Sequence, residues 1–242
     1  MKAVVLSAGM GTRMGALTAA MPKPLLPLAG EPLLAHTLRY LRANGVDWVA
    51  LNLHFMPDMI PAAVGDGARF GLAVHYSREE TLLGTAGTLR ALAPMLRDEP
   101  DVLVLYGDLL LDQDLGELVR AHRAHGADAT LVLHERAGSN SLVRMDEAGR
   151  ITGFVERPDE EERRANPFVW VNSGVAVVGP RLLDAIPEKV PADLPRDVYV
   201  PCLASLKIFG FPLTGYRCAI DSPDRYAQAE EALRTGACRR YG

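Results

Sequence analysis

The sequence contains few cysteines, and they form no recognisable pattern. Cys202, Cys218 and Cys238 are odd in number and lack the CxxC spacing of zinc sites. Neither a disulfide framework nor a zinc site is therefore predicted. Three unpaired thiols are typical of a reducing compartment, so we expect a cytoplasmic protein.

Long apolar runs and dense positive charge are also absent. No stretch reaches the roughly 18 uncharged apolar residues that a membrane-spanning helix requires, and the apolar run at the N-terminus is too short for a signal peptide. The net charge is -4, and no dense Lys/Arg cluster occurs beyond Arg239-Arg240. Neither a membrane nor a nucleic acid is therefore an expected partner.

A chain of 242 residues suits one α/β domain with a substantial core, so we expect a single domain over residues 1–242. Short apolar runs alternate with segments of helical spacing, which predicts a doubly wound, Rossmann-like, mainly parallel sheet with helices on both faces. The predicted strands are residues 3–6, 48–53, 72–76, 102–106, 129–133, 175–178 and 215–220. The predicted helices are residues 33–44, 88–96, 115–125 and 181–186, with another over 225–233.

Residues 142–155 have a different pattern. Two short strand-like segments flank the acidic turn Asp146-Glu147-Ala148-Gly149, which predicts a β-hairpin. The charged run over residues 159–164 is predicted to be a solvated loop or short helix without a catalytic role.

A glycine-rich turn follows the first predicted strand. Gly9 and Gly11 allow an anion to approach the backbone N–H groups, while Arg13 and Lys23 supply positive charge. The turn is neither a P-loop, because the Gly-Lys-Ser/Thr ending is missing, nor a dinucleotide fingerprint, because Met14 replaces the last glycine. The combination predicts a polyphosphate site.

Several short motifs resemble those of the sugar-phosphate nucleotidylyltransferases, and the guanylyltransferases for mannose 1-phosphate and heptose 1-phosphate most of all. They occur in the family's order over nearly the whole chain: Gly-Met-Gly-Thr-Arg-Met from residue 9, Pro-Lys-Pro from 22, Leu-Gly-Thr-Ala-Gly from 83, Gly-Asp from 107, Phe-Val-Glu-Arg-Pro from 154, Asn-Ser-Gly from 172 and Ile-Asp-Ser-Pro from 220. The resemblance implies an enzyme that makes nucleotide sugars from an NTP and a sugar 1-phosphate and releases pyrophosphate.

The resemblance also implies how the phosphates are held. Arg13 would bind the β- and γ-phosphates and Lys23 the α-phosphate, as the two catalytic cations. Asp108, after a predicted central strand, and Asp221 would hold Mg²⁺, which prefers one or two carboxylates together with phosphate oxygens. A helix N-cap is the competing interpretation of Asp221. Asp112 and Asp114 are interpreted as loop acids.

The nucleotide-binding residues implied by the resemblance lie in two segments. They are Leu6, Ala8, Gly9, Gly11 and Thr12 in the early turn and Glu79, Gly84 and Thr85 further along. Relatives that use uridine or thymidine nucleotides often carry glutamine at the position of Glu79. A carboxylate only accepts hydrogen bonds, which suits the N1–H and N2–H₂ donors of guanine and predicts GTP. An exposed loop glutamate is the alternative interpretation.

The sugar-phosphate site implied by the resemblance comprises Asp108, Ser141, Glu156, Arg157 and Asn172, with the predicted hairpin as the sugar-binding subregion. Two of these residues depart from the family pattern. Arg157 replaces a lysine, so a planar fork of donors replaces a point charge. Ser141 stands where many relatives have glycine, which leaves the sugar undetermined.

Two alternatives remain open. One is a uridylyltransferase that acts on an N-acetylmuramate-type or another sugar 1-phosphate. The other, of a different class, is a non-catalytic regulatory subunit that binds nucleotide sugars, although a silent subunit would not need the whole set of Arg13, Lys23, Asp108 and Asp221. We expect no C-terminal β-helix domain. A homo-oligomer is compatible with the sequence.

Overall fold

The computed structural model describes residues 1–9, 11, 15, 18–136, 139–166, 168 and 170–241. Its strands are β1 (Lys2–Leu6), β2 (Pro27–Leu28), β3 (Glu31–Pro32), β4 (Trp48–Leu53), β5 (Ala73–Arg78), β6 (Val102–Tyr106), β7 (Leu109–Leu111), β8 (Ala129–Glu135), β9 (Ser141–Met145), β10 (Ile151–Glu156), β11 (Trp170–Val178), β12 (Ile208–Pro212) and β13 (Arg217–Ala219).

The α-helices are α1 (Leu33–Ala43), α2 (Met59–Val64), α3 (Gly84–Leu96), α4 (Leu115–Ala124), α5 (Glu160–Ala165), α6 (Pro180–Asp184), α7 (Val200–Cys202) and α8 (Pro223–Thr235). Short 3₁₀ helices span Lys23–Leu25 and Ala68–Phe70, and a π-helix spans Leu194–Tyr199. None of the helices among the described residues has both the length and the apolar character needed to cross a membrane.

The chain divides into two compact units. Unit 1 comprises Met1–Leu82, Val104–Asp114 and Thr214–Gly242, and unit 2 comprises Leu83–Leu103 and Leu115–Leu213. Strand β6 therefore begins in unit 2 and ends in unit 1. The expectation of a single domain over residues 1–242 stays a prediction.

Unit 1 contains a sheet with the strand order β6-β1-β4-β5. β4 pairs in parallel with β1, where Lys2 faces Trp48, and with β5, where Trp48 faces Ala73. Ala3, Val4 and Val5 of β1 are fully buried, as expected for a nearly continuous apolar run. The predicted α/β fold with a mainly parallel central sheet is confirmed.

Unit 1 also contains a second apolar core beneath its small antiparallel pair. β13 pairs with β7, so that Cys218 faces Leu110, and α8 packs on this pair through Ala229, Ala232 and Leu233. These contacts fix the segment in which Asp108 and Asp221 lie.

Unit 2 has the strand order β10-β9-β11-β8-β12, in which the first three neighbouring pairs are antiparallel and the β8–β12 pair is parallel. The predicted hairpin is confirmed as β9 and β10. Its turn is closed by the Asp146 carboxylate, which accepts hydrogen bonds from the N–H groups of Ala148 and Arg150 at 3.0 and 2.9 Å. The charged run forms the short helix α5, which begins with a capping box of Asp159 and Glu162.

Candidate active site

The glycine-rich turn begins where β1 ends at Leu6, and it continues through buried Ala8 to exposed Gly9. The Leu6 carbonyl accepts a 2.9 Å hydrogen bond from the Gly107 N–H. A Cβ atom on Gly107 would lie 2.8 Å from that carbonyl oxygen, so a side chain is excluded there. This close approach brings Asp108 to the start of the turn.

Gly11 has a φ of +63°, a conformation that favours glycine. The Thr18 hydroxyl donates a 2.9 Å hydrogen bond to its carbonyl, and a Cβ on Gly11 would lie 3.4 Å from the Lys23 Cβ. The backbone of the turn therefore packs against Lys23. Thr12 and Arg13, predicted to bind phosphate, lie outside the described residues.

Lys23 and Asp108 form an ion pair. The Lys23 Nζ donates to the Asp108 Oδ2 at 3.0 Å, and the side chains are 11% and 30% exposed. Lys23 begins a 3₁₀ helix between Pro22 and Pro24, which restricts the backbone that carries it. Lys23 is thus a mostly buried cation that is fixed by its ion pair with Asp108, and not a solvated loop lysine.

Asp221 directly follows the residue that pairs with Asp108. The Ile220 N–H donates a 2.8 Å hydrogen bond to the Asp108 carbonyl, which extends the β7–β13 pairing by one residue. The N-cap of α8 is Ser222, whose hydroxyl accepts from the Arg225 N–H at 3.3 Å. The competing interpretation of Asp221 as an N-cap is therefore wrong, because its neighbour caps the helix.

The donor set at this position fits Mg²⁺. The described residues contain no group of three or more His, Cys, Asp or Glu side chains that could enclose a metal, whereas Mg²⁺ requires only one or two carboxylates and takes its other ligands from phosphates and water. Asp108 and Asp221 are both partly exposed. Metal binding by this pair stays a prediction.

Glu79 is buried at the end of β5, with 6% of its surface exposed. Its Oε1 accepts a 2.9 Å hydrogen bond from the Asn52 Nδ2, and its carbonyl lies 2.9 Å from the His54 Nδ1. Glu79 is therefore not an exposed loop glutamate. Its contact with guanine stays a prediction.

Gly84 and Thr85 are the first two residues of α3. A Cβ on Gly84, which has a φ of +78°, would overlap the Ala192 carbonyl group and lie 2.8 Å from its carbon. The Thr85 Oγ1 accepts a 2.7 Å hydrogen bond from the Leu194 N–H. Both residues thus have contacts within unit 2 that explain their identity without a nucleotide, and their nucleotide-binding role stays a prediction.

Three of the predicted sugar-site residues are brought together in unit 2. Ser141 faces Glu156 across the β9–β10 hairpin, and its Oγ accepts a 3.0 Å hydrogen bond from the Asn172 N–H. The Asn172 Oδ1 accepts from the Gly174 N–H at 3.1 Å. The serine that departs from the family pattern therefore joins the hairpin to β11.

Arg157 directly follows the hairpin with a φ of +54°, and its N–H donates a 2.7 Å hydrogen bond to the Asn140 carbonyl. Burial raises the pKa of Glu156, nearby Asp193 raises it further, and Arg157 and Arg196 oppose the shift. The net effect of burial and of these charges is a raised pKa for Glu156.

Comparison with known proteins identifies the family of this chain. The family model for "Nucleotidyl transferase" matches residues 2–189. The chain belongs to the nucleotidyl transferase family. Mannose-1-phosphate guanylyltransferase of Mycobacterium tuberculosis is 34% identical over 97% of this chain and 65% of its own length. UTP–glucose-1-phosphate uridylyltransferase of a Synechocystis species is 34% identical over 82% of this chain and 54% of its own. The chain thus spans less than two thirds of these relatives.

Solved structures agree with this nucleotidyl transferase in fold. The crystal structure of HddC from Yersinia pseudotuberculosis has a TM-score of 0.80 at 20% identity, covering 96% of this chain and 99% of that one. A putative glucose-1-phosphate thymidylyltransferase from Bacillus anthracis has a TM-score of 0.83 at 18% identity, covering 97% and 95%.

Two polar residues of the nucleotidyl transferase escaped the sequence analysis. Asn52 lies in β4, where an amide in a buried apolar strand signals a required hydrogen-bond partner. The Asp197 side chain is 4% exposed and forms ion pairs with Lys189 at 2.6 Å and Arg196 at 3.1 Å. No pattern in the sequence indicates that Asp197 is buried or paired.

Asp112, interpreted from the sequence as a loop acid, accepts hydrogen bonds from the Tyr216 and Arg239 N–H groups at 2.5 and 2.9 Å.

Proposed function

We propose that this nucleotidyl transferase transfers GMP from GTP to a hexose or heptose 1-phosphate, releasing pyrophosphate and forming a nucleotide sugar. The observation that carries the proposal is the Lys23–Asp108 ion pair, hydrogen-bonded through the backbone to the segment of Asp221. It supplies the cation and the carboxylates that transfer between two phosphates requires. The guanylyltransferase among the relatives and the acceptor-only carboxylate of Glu79 support GTP.

The reaction follows from the charges of its reactants. An oxygen of the sugar phosphate attacks the α-phosphorus, the new O–P bond forms, and the bond from the α-phosphorus to the bridging oxygen breaks, so that pyrophosphate leaves with the electron pair. A phosphate oxygen is already anionic, so no general base is needed. Lys23 would neutralise the α-phosphate, and Arg13 would bind the β- and γ-phosphates.

Asp108 and Asp221 would hold Mg²⁺. When bound, the ion would neutralise phosphate charge that the two cations leave uncompensated. In the structure the Asp108 Oδ2 contacts Lys23 at 3.0 Å. Asp108 would therefore position both a metal and the cation that meets the α-phosphate.

The early turn and Glu79, both in unit 1, would bind the nucleotide, and Gly84 and Thr85 are further proposed nucleotide contacts. The sugar 1-phosphate would contact Ser141, Glu156, Arg157 and Asn172, together with Asp108. Arg157 offers a planar fork that can bind a phosphate through two donors.

A uridylyltransferase acting on an N-acetylmuramate-type or another sugar 1-phosphate is the second candidate. The observation in its favour is the uridylyltransferase relative, whose 34% identity equals that of the guanylyltransferase. Because the two relatives differ in base, identity alone does not choose between GTP and UTP.

The decisive experiment measures pyrophosphate release with Mg²⁺, each of the four NTPs or dTTP, and a panel of hexose, heptose and amino-sugar 1-phosphates. Release that requires both GTP and one sugar phosphate is expected. Release with UTP instead would support the second candidate. Nucleotide binding with no release across the panel would contradict the enzymatic proposal and favour a regulatory subunit.

The remaining parts of the proposal concern location and partners. The cysteines Cys202, Cys218 and Cys238 are free thiols, which supports a reducing cytoplasm. We propose small-molecule partners only, namely the NTP and the sugar 1-phosphate, and leave self-association to a measurement of mass in solution.

A further inference from the structure

A chain of hydrogen bonds joins the start of the glycine-rich turn to Glu79. The Ser7 N–H donates to the Asn52 Oδ1 at 2.6 Å, and the Asn52 Nδ2 donates to the Glu79 Oε1 at 2.9 Å. Asn52 and Glu79 are 4% and 6% exposed. Both ends of the Asn52 amide are thus used inside the protein.

The direction of these bonds is fixed by chemistry. A backbone N–H only donates, so Ser7 must meet the oxygen of the Asn52 amide and not its nitrogen. The amide nitrogen then faces residue 79, and because it also only donates, residue 79 must present an acceptor to it. The two partners therefore orient the Asn52 amide, although its two ends are similar in shape.

We propose that Asn52 is a positioning residue that sets which hydrogen-bonding group residue 79 presents to the nucleotide base. The inference rests on the proposed function, in which Glu79 contacts guanine. Both oxygens of Glu79 are acceptors, and each has more than one lone pair, so the bond to Asn52 is compatible with a further bond to a base.

The variant E79Q would behave differently beside Asn52. The carbonyl oxygen of its new side chain would turn to the Asn52 amide nitrogen, and the new NH₂ would be the group directed to the base. Guanine presents the donors N1–H and N2–H₂, which need acceptors. Because Asn52 fixes which end of the side chain faces inward, the nearly isosteric change E79Q replaces an acceptor with a donor at the end that faces the base.

A second substitution, at position 52, should restore the original hydrogen-bond polarity at position 79. In N52D/E79Q, the new carboxylate at position 52 would accept from the Ser7 N–H with one oxygen and from the new amide NH₂ at position 79 with the other. The amide carbonyl at position 79 would then be the acceptor directed to the base. The double variant thus keeps the amide of E79Q but restores the hydrogen-bond polarity of Glu79.

The test compares the wild-type protein with E79Q, N52D/E79Q and the control E80Q, which changes an exposed neighbouring glutamate. Binding of GTP and UTP is measured by calorimetry, and kcat/KM for each with a sugar phosphate by pyrophosphate release. We expect E79Q to lose about 10- to 100-fold in GTP affinity, as for one good pair of hydrogen bonds to a base. N52D/E79Q should recover GTP binding to within a few-fold of wild type, and E80Q should match wild type.

The outcomes separate this inference from the proposed function. Equal loss of GTP binding in E79Q and N52D/E79Q, with thermal unfolding showing both folded, would overturn the role of Asn52 while leaving guanylyl transfer intact. If the ratio of GTP affinity to UTP affinity were the same in every variant, the role of Asn52 would also be overturned. If N52D/E79Q fails to fold, N52A/E79Q takes its place, because without the Asn52 amide the new side chain at position 79 can turn its carbonyl to the base. GTP binding above that of E79Q is then expected, and binding equal to that of E79Q would overturn the role of Asn52. Failure of the wild-type protein to bind any nucleotide would overturn the proposed function and this inference together.

Discussion

The two units hold their candidate site residues by different means. In unit 1, bonds between side chains join Lys23 to Asp108 at 3.0 Å and Asn52 to Glu79 at 2.9 Å. In unit 2, Ser141 and Glu156 are held by strand register, since they face each other across the β9–β10 hairpin.

This difference predicts two kinds of sensitivity. A side chain that is held by another side chain can be replaced without disturbing the backbone, so substitutions in unit 1 should change activity more than folding. A site held by strand register depends on backbone packing, so substitutions in unit 2 should change stability as well. The following variants test that distinction.

The largest effect is expected for Asp108→Asn. The change removes a carboxylate that would hold Mg²⁺ and weakens the ion pair with Lys23, which is 11% exposed. We expect turnover to fall on the order of 10³-fold, as for loss of a preorganised electrostatic group, with a melting temperature close to wild type. Steady-state pyrophosphate release and thermal unfolding measure the two quantities.

Asp112→Asn is the matched control for this variant. Asp112 accepts two backbone hydrogen bonds in unit 1 and has no proposed contact with substrate. It should lower the melting temperature while leaving kcat nearly unchanged. Normal turnover of Asp108→Asn at saturating Mg²⁺ would remove Asp108 from the metal site.

The next effect is a loss of stability in unit 2 from Gly84→Ala. The new Cβ would lie 2.8 Å from the Ala192 carbonyl carbon, at a φ of +78°. Strain and overpacking together should cost about 2–4 kcal/mol of unfolding free energy, measured by urea denaturation. Gly149→Ala is the control, because its φ is +81° but its nearest contact is 3.6 Å. Equal losses in the two variants would mean that the contact with Ala192 carries no cost.

A smaller effect is expected for Ser141→Ala. The change deprives the Asn172 N–H of the acceptor that lies 3.0 Å away, which should cost about 1 kcal/mol and raise KM for the sugar phosphate. Thr152→Ala, on the exposed side of β10, is the control. Its hydroxyl accepts from the exposed Arg144 side chain at 3.1 Å, where water can replace it, so the change should alter stability by less than about 0.5 kcal/mol. A KM effect without loss of stability would show that Ser141 acts on the sugar alone.

The sequence predicted best where burial alone determines structure. The apolar run of β4 was predicted with the bounds Trp48–Leu53 that the structure has, because a strand buried on both faces is apolar throughout. The predicted helix over residues 88–96 begins four residues earlier, at Gly84. Its first turn is fixed by hydrogen bonds from Ala86 and Gly87 to the Ala192 carbonyl, a contact distant in sequence.

The sequence predicts candidate site residues but not the contacts between them. The motifs identify Lys23 and Asp108, but nothing in the sequence indicates that they contact each other. Ser141 departs from the family pattern, and the structure shows that its hydroxyl accepts a hydrogen bond from the Asn172 N–H. Hydrogen bonds between distant segments depend on the fold, and local patterns carry no information about them.

The smallest effect concerns Glu156 and pH. Burial raises its pKa above the usual value of 4.5, with Arg157 opposing the shift, so the folded protein holds this proton more tightly than the unfolded chain. The stability that the neutral carboxyl group contributes is complete below the pKa of Glu156 in the unfolded chain. It is lost as the pH rises through the pKa of Glu156 in the folded protein.

The variant Glu156→Gln carries a side chain at this position that stays neutral at every pH. The unfolding free energy of wild type relative to Glu156→Gln should therefore decrease as pH rises from about 4.5 and then level off. Urea denaturation at a series of pH values measures it, with Glu161→Gln on the exposed helix α5 as the control. A difference that increases with pH would mean that the two arginines outweigh burial.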